Sequence, residues 1–347
     1  MGTIQKSETS KVTQNDVAKA AGVTRSIVSY VISGRTDRSV APETRQRILE
    51  VIDQLGYRPN KAAQALQQGD VAFAAKKIGV VLANAEMFRR PYYAEILAGI
   101  HSAAHELNHY VSFIRFFHEL KDPVLFNELI HNEEIGGLIL VSLDQSIKTK
   151  EDKIIIEKIK ERIPQIVCIE WKSENLISVM FNRQEAAYKA CEYAFSKGYK
   201  HIAYIGLDDE RVFGVQQFLL QHEQKSSIKE FYLSKAFDMW GGHDAIKEVI
   251  EQNKLPRAII CGSDEVAIGV MCYLNQQKIS IPNEVAVVSI DNIEMSGYTF
   301  PPLTTINVQK SAMGYQAVEM IVNGSAKPSE NAVCVMLPTS IIERQTC

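Results

Sequence analysis

No apolar run in these 347 residues approaches the length that a membrane span requires. The opening MGTIQKSETSK is neither a basic, apolar, cleavable leader nor a myristoylation site, because Lys6 stands where a hydroxyl is needed. A cytoplasmic protein is therefore expected. Cysteines number six (Cys168, Cys191, Cys261, Cys272, Cys334 and Cys347), with no C-x-x-C among them and no histidine at metal-ligand spacing. That excludes a disulfide framework or a zinc ribbon, and the six read as reduced thiols of the core. Catalytic signatures are missing as well: no G-x-G-x-x-G follows a strand-like run, and there is no P-loop, H-E-x-x-H or G-x-S-x-G. Neither an enzymatic activity nor a cofactor is expected. The last residues, IIERQTC, carry no heptad helix, which favours a dimer over a tetramer.

What is present is ordinary globular material, 46% apolar and 23% charged, long enough for two or three domains. The net charge of -3 hides an asymmetry. Residues 1–70 hold ten Lys and Arg against seven Asp and Glu, so the remainder carries 28 against 34. A small basic head on an acidic body suggests that the head alone meets a polyanion, although a solvated surface often reaches such an excess.

The head reads as three helices. Thr13 followed by Asp16 is a capping-box start, Val17, Ala18 and Ala21 supply one apolar face, Gly22 permits a tight turn, and Thr24 caps a second run. In that second helix Val28, Val31 and Ile32 recur at helical spacing and face inward, which leaves Arg25, Ser26, Ser29 and Tyr30 outward. Pro42 then opens ETRQRILEVIDQLGY, whose Ile48, Leu49, Ile52 and Leu55 make the apolar side of a third helix. A helix-turn-helix with a polar outer face can lie in a DNA groove or can simply be a small bundle. Beyond it, NKAAQALQQ predicts one short helix with Leu66 as its single large apolar residue.

The stretches VTQNDVAKAAGVTRSIVSYVISG, SVAPETRQRILEVIDQLGYRPNKAAQAL, IGVVLAN, PYYAEILAGI, RVFG, SDEVAIG, VAVVSIDN and PPLTTI together resemble the lactose-repressor family of bacterial transcription factors, in order and over nearly the whole chain. The resemblance implies a DNA-binding head (1–59), a hinge helix and linker (60–75) and an effector-binding, dimerising body (76–347). It implies contact with a palindromic double-stranded operator through Thr24, Arg25, Ser26, Ser29, Tyr30, Asn60, Gln64 and Leu66. Arg25, Ser26 and Tyr30 would read base edges, while Leu66 would wedge into the minor groove or, alternatively, pack on its own domain. Three departures stand out. Tyr30 occupies a position where the family usually has arginine, which removes a bidentate guanine contact; Ala41 replaces a common capping serine; and SGRTDRSV is about two residues longer than usual, adding Arg35 and Arg38.

From Lys76 onward, IGVVLA, YVSFIRF, GGLILVS, QIVCIE, HIAYIG, RAIICG and VAVVSI are short apolar runs separated by helical stretches, the pattern of parallel strands covered on both faces. This predicts an α/β body with a doubly wound parallel sheet. By resemblance it has two lobes like periplasmic sugar-binding proteins, joined by several crossings, with the ligand between them. Ligands in such sheets gather at strand carboxyl ends. Tyr92, Tyr93, Glu170, Arg211, Phe237, Ser263 and Asp291 stand there and suit a polyol or other carbohydrate effector, while Asp264 and Asn182 read as structural or capping residues.

His101, His105 and His109 recur at i, i+4 and i+8, but no Glu or Cys completes a metal set. Partly buried histidines near a homodimer interface, as the resemblance implies, are the preferred reading. The alternative to a ligand-controlled regulator is a solute-binding module with a degenerate head.

Overall fold

Thr13 starts the first helix, α1 (Gln14–Ala21), by a reciprocal cap. Its hydroxyl accepts from the Asp16 amide at 3.3 Å while its own amide donates to Asp16 Oδ2 at 2.8 Å. The computed structural model describes residues 12–33, 40–57, 76–144, 146–222, 230–233, 237–252 and 254–347. Gly22 ends α1 at φ 65°, a left-handed turn that side chains resist, and α2 (Arg25–Ser33) follows. Val28 and Val31 are buried as expected and Ile32 is partly so. The third helix, α3 (Pro42–Leu55), has Ala41 at its N-cap without a side-chain hydrogen bond. Here one expectation is corrected: Leu55 is exposed and Val51 is buried. After Gly56 turns left-handed, the Tyr57 amide donates back to the Ile52 carbonyl, and Tyr57 covers the end of the core that Leu55 was expected to close.

The body divides into two compact units that the chain passes between several times. One takes in Met1–Met87, Ile100–Ser178 and Tyr315–Val333, the other Phe88–Gly99, Val179–Gly314 and Cys334–Cys347. The first is built on parallel strands β1 (Lys77–Leu82), β2 (Tyr110–Phe116), β3 (Gly137–Val141) and β4 (Ile166–Ile169), in the spatial order β4-β3-β1-β2. β3 and β4 are wholly buried, as continuous apolar runs in a parallel sheet should be, whereas edge strand β2 is only half-buried. A strand at Ile177–Phe181 marks the passage into the second unit.

The second unit carries β6 (Ile202–Gly206), β7 (Glu230–Leu233), β8 (Ala258–Cys261), β9 (Ala286–Asp291) and β10 (Thr304–Asn307), with β12 (Ser340–Ile342) antiparallel at the edge; β5 (Ile177–Phe181) and β11 (Cys334–Leu337) instead continue the sheet of β1–β4 beyond β4. Every strand expected from the apolar runs is present. Those not expected are four or five residues long or lie at an edge, where half-exposed positions admit polar residues and blur the pattern. In the helix Glu210–Gln221, Gly214 lies so close to the Gln184 carbonyl that a Cβ there would come within 2.0 Å of its oxygen, which fixes how that helix seats.

The cysteine reading holds for half the set. Cys168, Cys191 and Cys261 are buried, but Cys272 is exposed and Cys334 and Cys347 are half-exposed.

Candidate functional site

On the head, the exposed residues at the start of α2 are Thr24, Arg25, Ser26 and Ser29, with Tyr30 partly covered. Inward Val28 and Val31 hold the helix on the bundle, so these polar side chains stand off its outer face. Arg25 Nε donates to Gln14 Oε1 at 3.3 Å. Asn60, Gln64 and Leu66, together with Arg35 and Arg38, lie outside the described residues.

In the second unit the strand ends assemble a charged cluster. Arg211, in the first turn of the helix that follows β6, is 5% exposed; its Nη1 lies 2.5 Å from Asp209 Oδ2 and its Cζ 4.6 Å from the centre of the Phe237 ring. Asp209 is also the N-cap of that helix, so one carboxylate holds both the backbone and the guanidinium. Arg211 and Asp291 do not form an ion pair with each other; Asp209 takes the guanidinium instead. A second guanidinium, Arg90, lies 5.0 Å from the same ring and 5.9 Å from that of Tyr93, and both its Nε and Nη2 reach Glu265 Oε2 at 2.8 Å. Its Nη2 also donates to the Phe237 carbonyl. Tyr92 is buried, with its ring edge-on to Tyr93 at 5.2 Å.

Asp291 closes β9 with φ 123°, a left-handed backbone rare outside glycine, and is 3% exposed. Burial, and then the charge of Asp264, hold its carboxyl well above the usual carboxylate range, against the pull of Arg211, Lys310 and Arg90. Lys310 is itself buried and donates to the Asp291 carbonyl at 2.6 Å, with Glu95 at 3.3 Å as its ion-pair partner. The buried polar network therefore satisfies the strained strand end through its main chain and leaves the Asp291 carboxylate amid three cations.

Other expected residues divide. Ser263 is fully buried and caps the helix that follows β8, its hydroxyl accepting from the Val266 amide at 3.2 Å. Asp264 is structural as expected, accepting from the Ser289 and Thr305 hydroxyls at 2.5 and 2.6 Å and from the Ile293 amide at 2.7 Å. Burial outweighs those donors and pushes its carboxyl up to about 6. Asn182 caps the helix Arg183–Ser196 by accepting from Glu185 N at 3.0 Å. Glu170 is buried at the end of β4 with φ 55° and belongs to the first unit.

Sequence reading missed Arg90, Asp209, Glu265 and Lys310. The doublet Arg89-Arg90 directly before Pro91, in the loop after the first strand, was the available signal. A lone lysine at the start of a helix offers none, since lysine there is normally solvated.

The histidine series does not run along one helix face. The helix Pro91–Glu106 stops short of His109, Asn108 turns left-handed at φ 55°, and His109 Nδ1 meets the Leu107 carbonyl at 2.7 Å. In the single chain His101 and His105 are exposed. Among the described residues, no group of three His, Cys, Asp or Glu side chains is placed to hold a metal ion, and no helix is long and apolar enough to cross a membrane.

Comparison with known proteins agrees with this architecture. Residues 13–60 match the family "Bacterial regulatory proteins, lacI family" and residues 191–347 match a "Periplasmic binding protein-like domain". The HTH-type transcriptional repressor PurR of Histophilus somni (strain 2336) is 25% identical over 340 residues, 96% of this chain and 98% of that one. The Lac repressor dimer bound to operator and the anti-inducer ONPF shares the fold at 22% identity and a TM-score of 0.65, covering 97% and 99% of the two chains. The CelR–cellobiose complex does so at 21% identity and 0.63, covering 97% and 100%. The chain thus carries a lacI-family helix-turn-helix at its head and a periplasmic-binding-protein-like domain behind it, and is similar over nearly its whole length to a repressor of that organisation.

Proposed function

We propose that this chain is a cytoplasmic, homodimeric transcriptional repressor that binds a palindromic operator through its head. A carbohydrate or carbohydrate derivative, held in the second unit by Arg211, Phe237 and Asp291 with Tyr92 and Tyr93 beside them, would control it. Glu170 is the contact proposed from the first unit. The domain division is a head at 1–59, a hinge and linker at 60–75 and an effector body at 76–347.

The observation that carries the reading is the second-unit cluster. An aromatic ring flanked by guanidiniums, beside a buried carboxylate at a strained strand end, offers an apolar face for sugar C–H groups together with donors and acceptors for hydroxyls. Operator binding by the Lac repressor dimer and cellobiose binding by CelR support the two halves of the proposal. Control requires linkage: the effector acts only to the extent that it binds the operator-competent and operator-free states with different affinity.

Fluorescence anisotropy on palindromic operators with a central CG step, with and without candidate sugars, tests both halves. Arg211→Ala should leave operator affinity without ligand nearly intact and abolish the ligand response, since a charged hydrogen bond is worth about 1.5–3 kcal/mol. Parallel loss of operator affinity and melting temperature would instead make the Arg211–Asp209 pair purely structural.

A further inference from the structure

Three side chains of the head join its core to its outer face. Tyr57, 3% exposed, is held behind α3 by the turn at Gly56. Gln14, the first residue of α1, stands beside the Tyr57 side chain. Its side-chain amide presents Oε1 to Arg25 Nε at 3.3 Å, at the first residue of α2.

We propose that Gln14 is a positioning residue for DNA reading. Anchored on Tyr57, it holds Arg25 by Nε and commits that guanidinium to guanine through its terminal Nη pair. The inference rests on the reading of α2 as the base-reading helix.

A guanidinium can meet guanine O6 and N7 either side-on, through Nε and one Nη, or end-on, through both Nη groups. With Nε engaged by Gln14, only the end-on approach remains. An exposed arginine also loses rotamer freedom when it docks, and a side chain already tethered to a core residue loses less. Gln14 thereby sets a base preference without touching a base. It offers no charge to phosphate, so its contribution falls on specificity at one base pair and spares general affinity.

Selection of randomised half-sites by the full-length chain tests this. Arg25→Ala identifies the base pair that Arg25 reads. Gln14→Met, which keeps the length and removes the acceptor, should lower the guanine preference at that pair about 3- to 10-fold and leave the other positions unchanged. Gln14→Glu should keep the preference, because its carboxylate accepts the same N–H, even as its charge lowers affinity for every sequence. Tyr57→Phe should give a smaller loss at the same pair.

A native profile from Gln14→Met, or a loss spread evenly over all sequences, overturns the proposal. If thermal melting shows Gln14→Met to be poorly folded, Tyr57→Phe decides, and an unaltered profile overturns it. No selection by the native chain, or an Arg25→Ala profile identical to native, would instead overturn base reading by α2 itself.

Discussion

Asp291 concentrates the cost of the proposed effector site in one residue. Its backbone sits where glycine is at home, its carboxyl is buried, and Asp264 repels it. Both carboxyls bind their proton more tightly folded than unfolded, so they favour the fold most below the ordinary carboxylate range. That contribution is lost as pH rises, for Asp264 through about 6. Asp291→Asn, which removes the repulsion and keeps a side chain tolerant of left-handed backbone, should raise the melting temperature at pH 7. A gain of about 2–4 °C is expected, shrinking by pH 5. A gain equal at both pH values would place its cause outside ionisation. The same substitution should weaken the ligand response, a common trade between stability and function.

Among the elements, α3 shows what a missing cap does. Ala41 accepts the first intrahelical bond, from the Arg45 amide at 2.9 Å, but has no side-chain oxygen for the amides of Glu43 and Thr44. Its extended backbone, at φ -53° and ψ 138°, already suits a capping serine. Ala41→Ser should therefore stabilise the first turn by about 0.5–2 kcal/mol. In the full chain this reads as roughly 2- to 30-fold slower hydrogen exchange at the Glu43 and Thr44 amides; unchanged exchange would show that solvent already serves these groups as well. Pro42 at the first position partly offsets the absence, since it brings no amide to satisfy.

At the scale of the molecule, charge is partitioned by task. The positive excess lies in residues 1–70 and the negative excess behind them, a partition that suits the proposed engagement of operator by the head. Operator affinity should fall steeply between about 50 and 200 mM salt, as released counterions require. Effector affinity, measured by calorimetry over the same range, should change little if the ligand is an uncharged carbohydrate. A comparably steep fall in effector affinity would point to an anionic ligand gripped by Arg90 and Arg211.

The sequence by itself determined the three helices of the head, the buried parallel strands and the outward residues of α2. Each follows from local periodicity, caps and glycine turns, which act between residues a few positions apart. Arg211 and Phe237, singled out because such sheets collect ligands at strand carboxyl ends, do lie against one another. Tertiary structure alone decided the rest. It made Ser263 a cap, gave Arg211 to Asp209 in place of Asp291, brought Arg90 to the Phe237 ring and buried Lys310 beneath a strained strand end. These contacts join residues up to 175 positions apart, as Arg90 and Glu265 are. No local pattern encodes such a pairing: which charges meet depends on how the strands order themselves in the sheet, and the free energy of a buried charge depends on every neighbour that replaces its water.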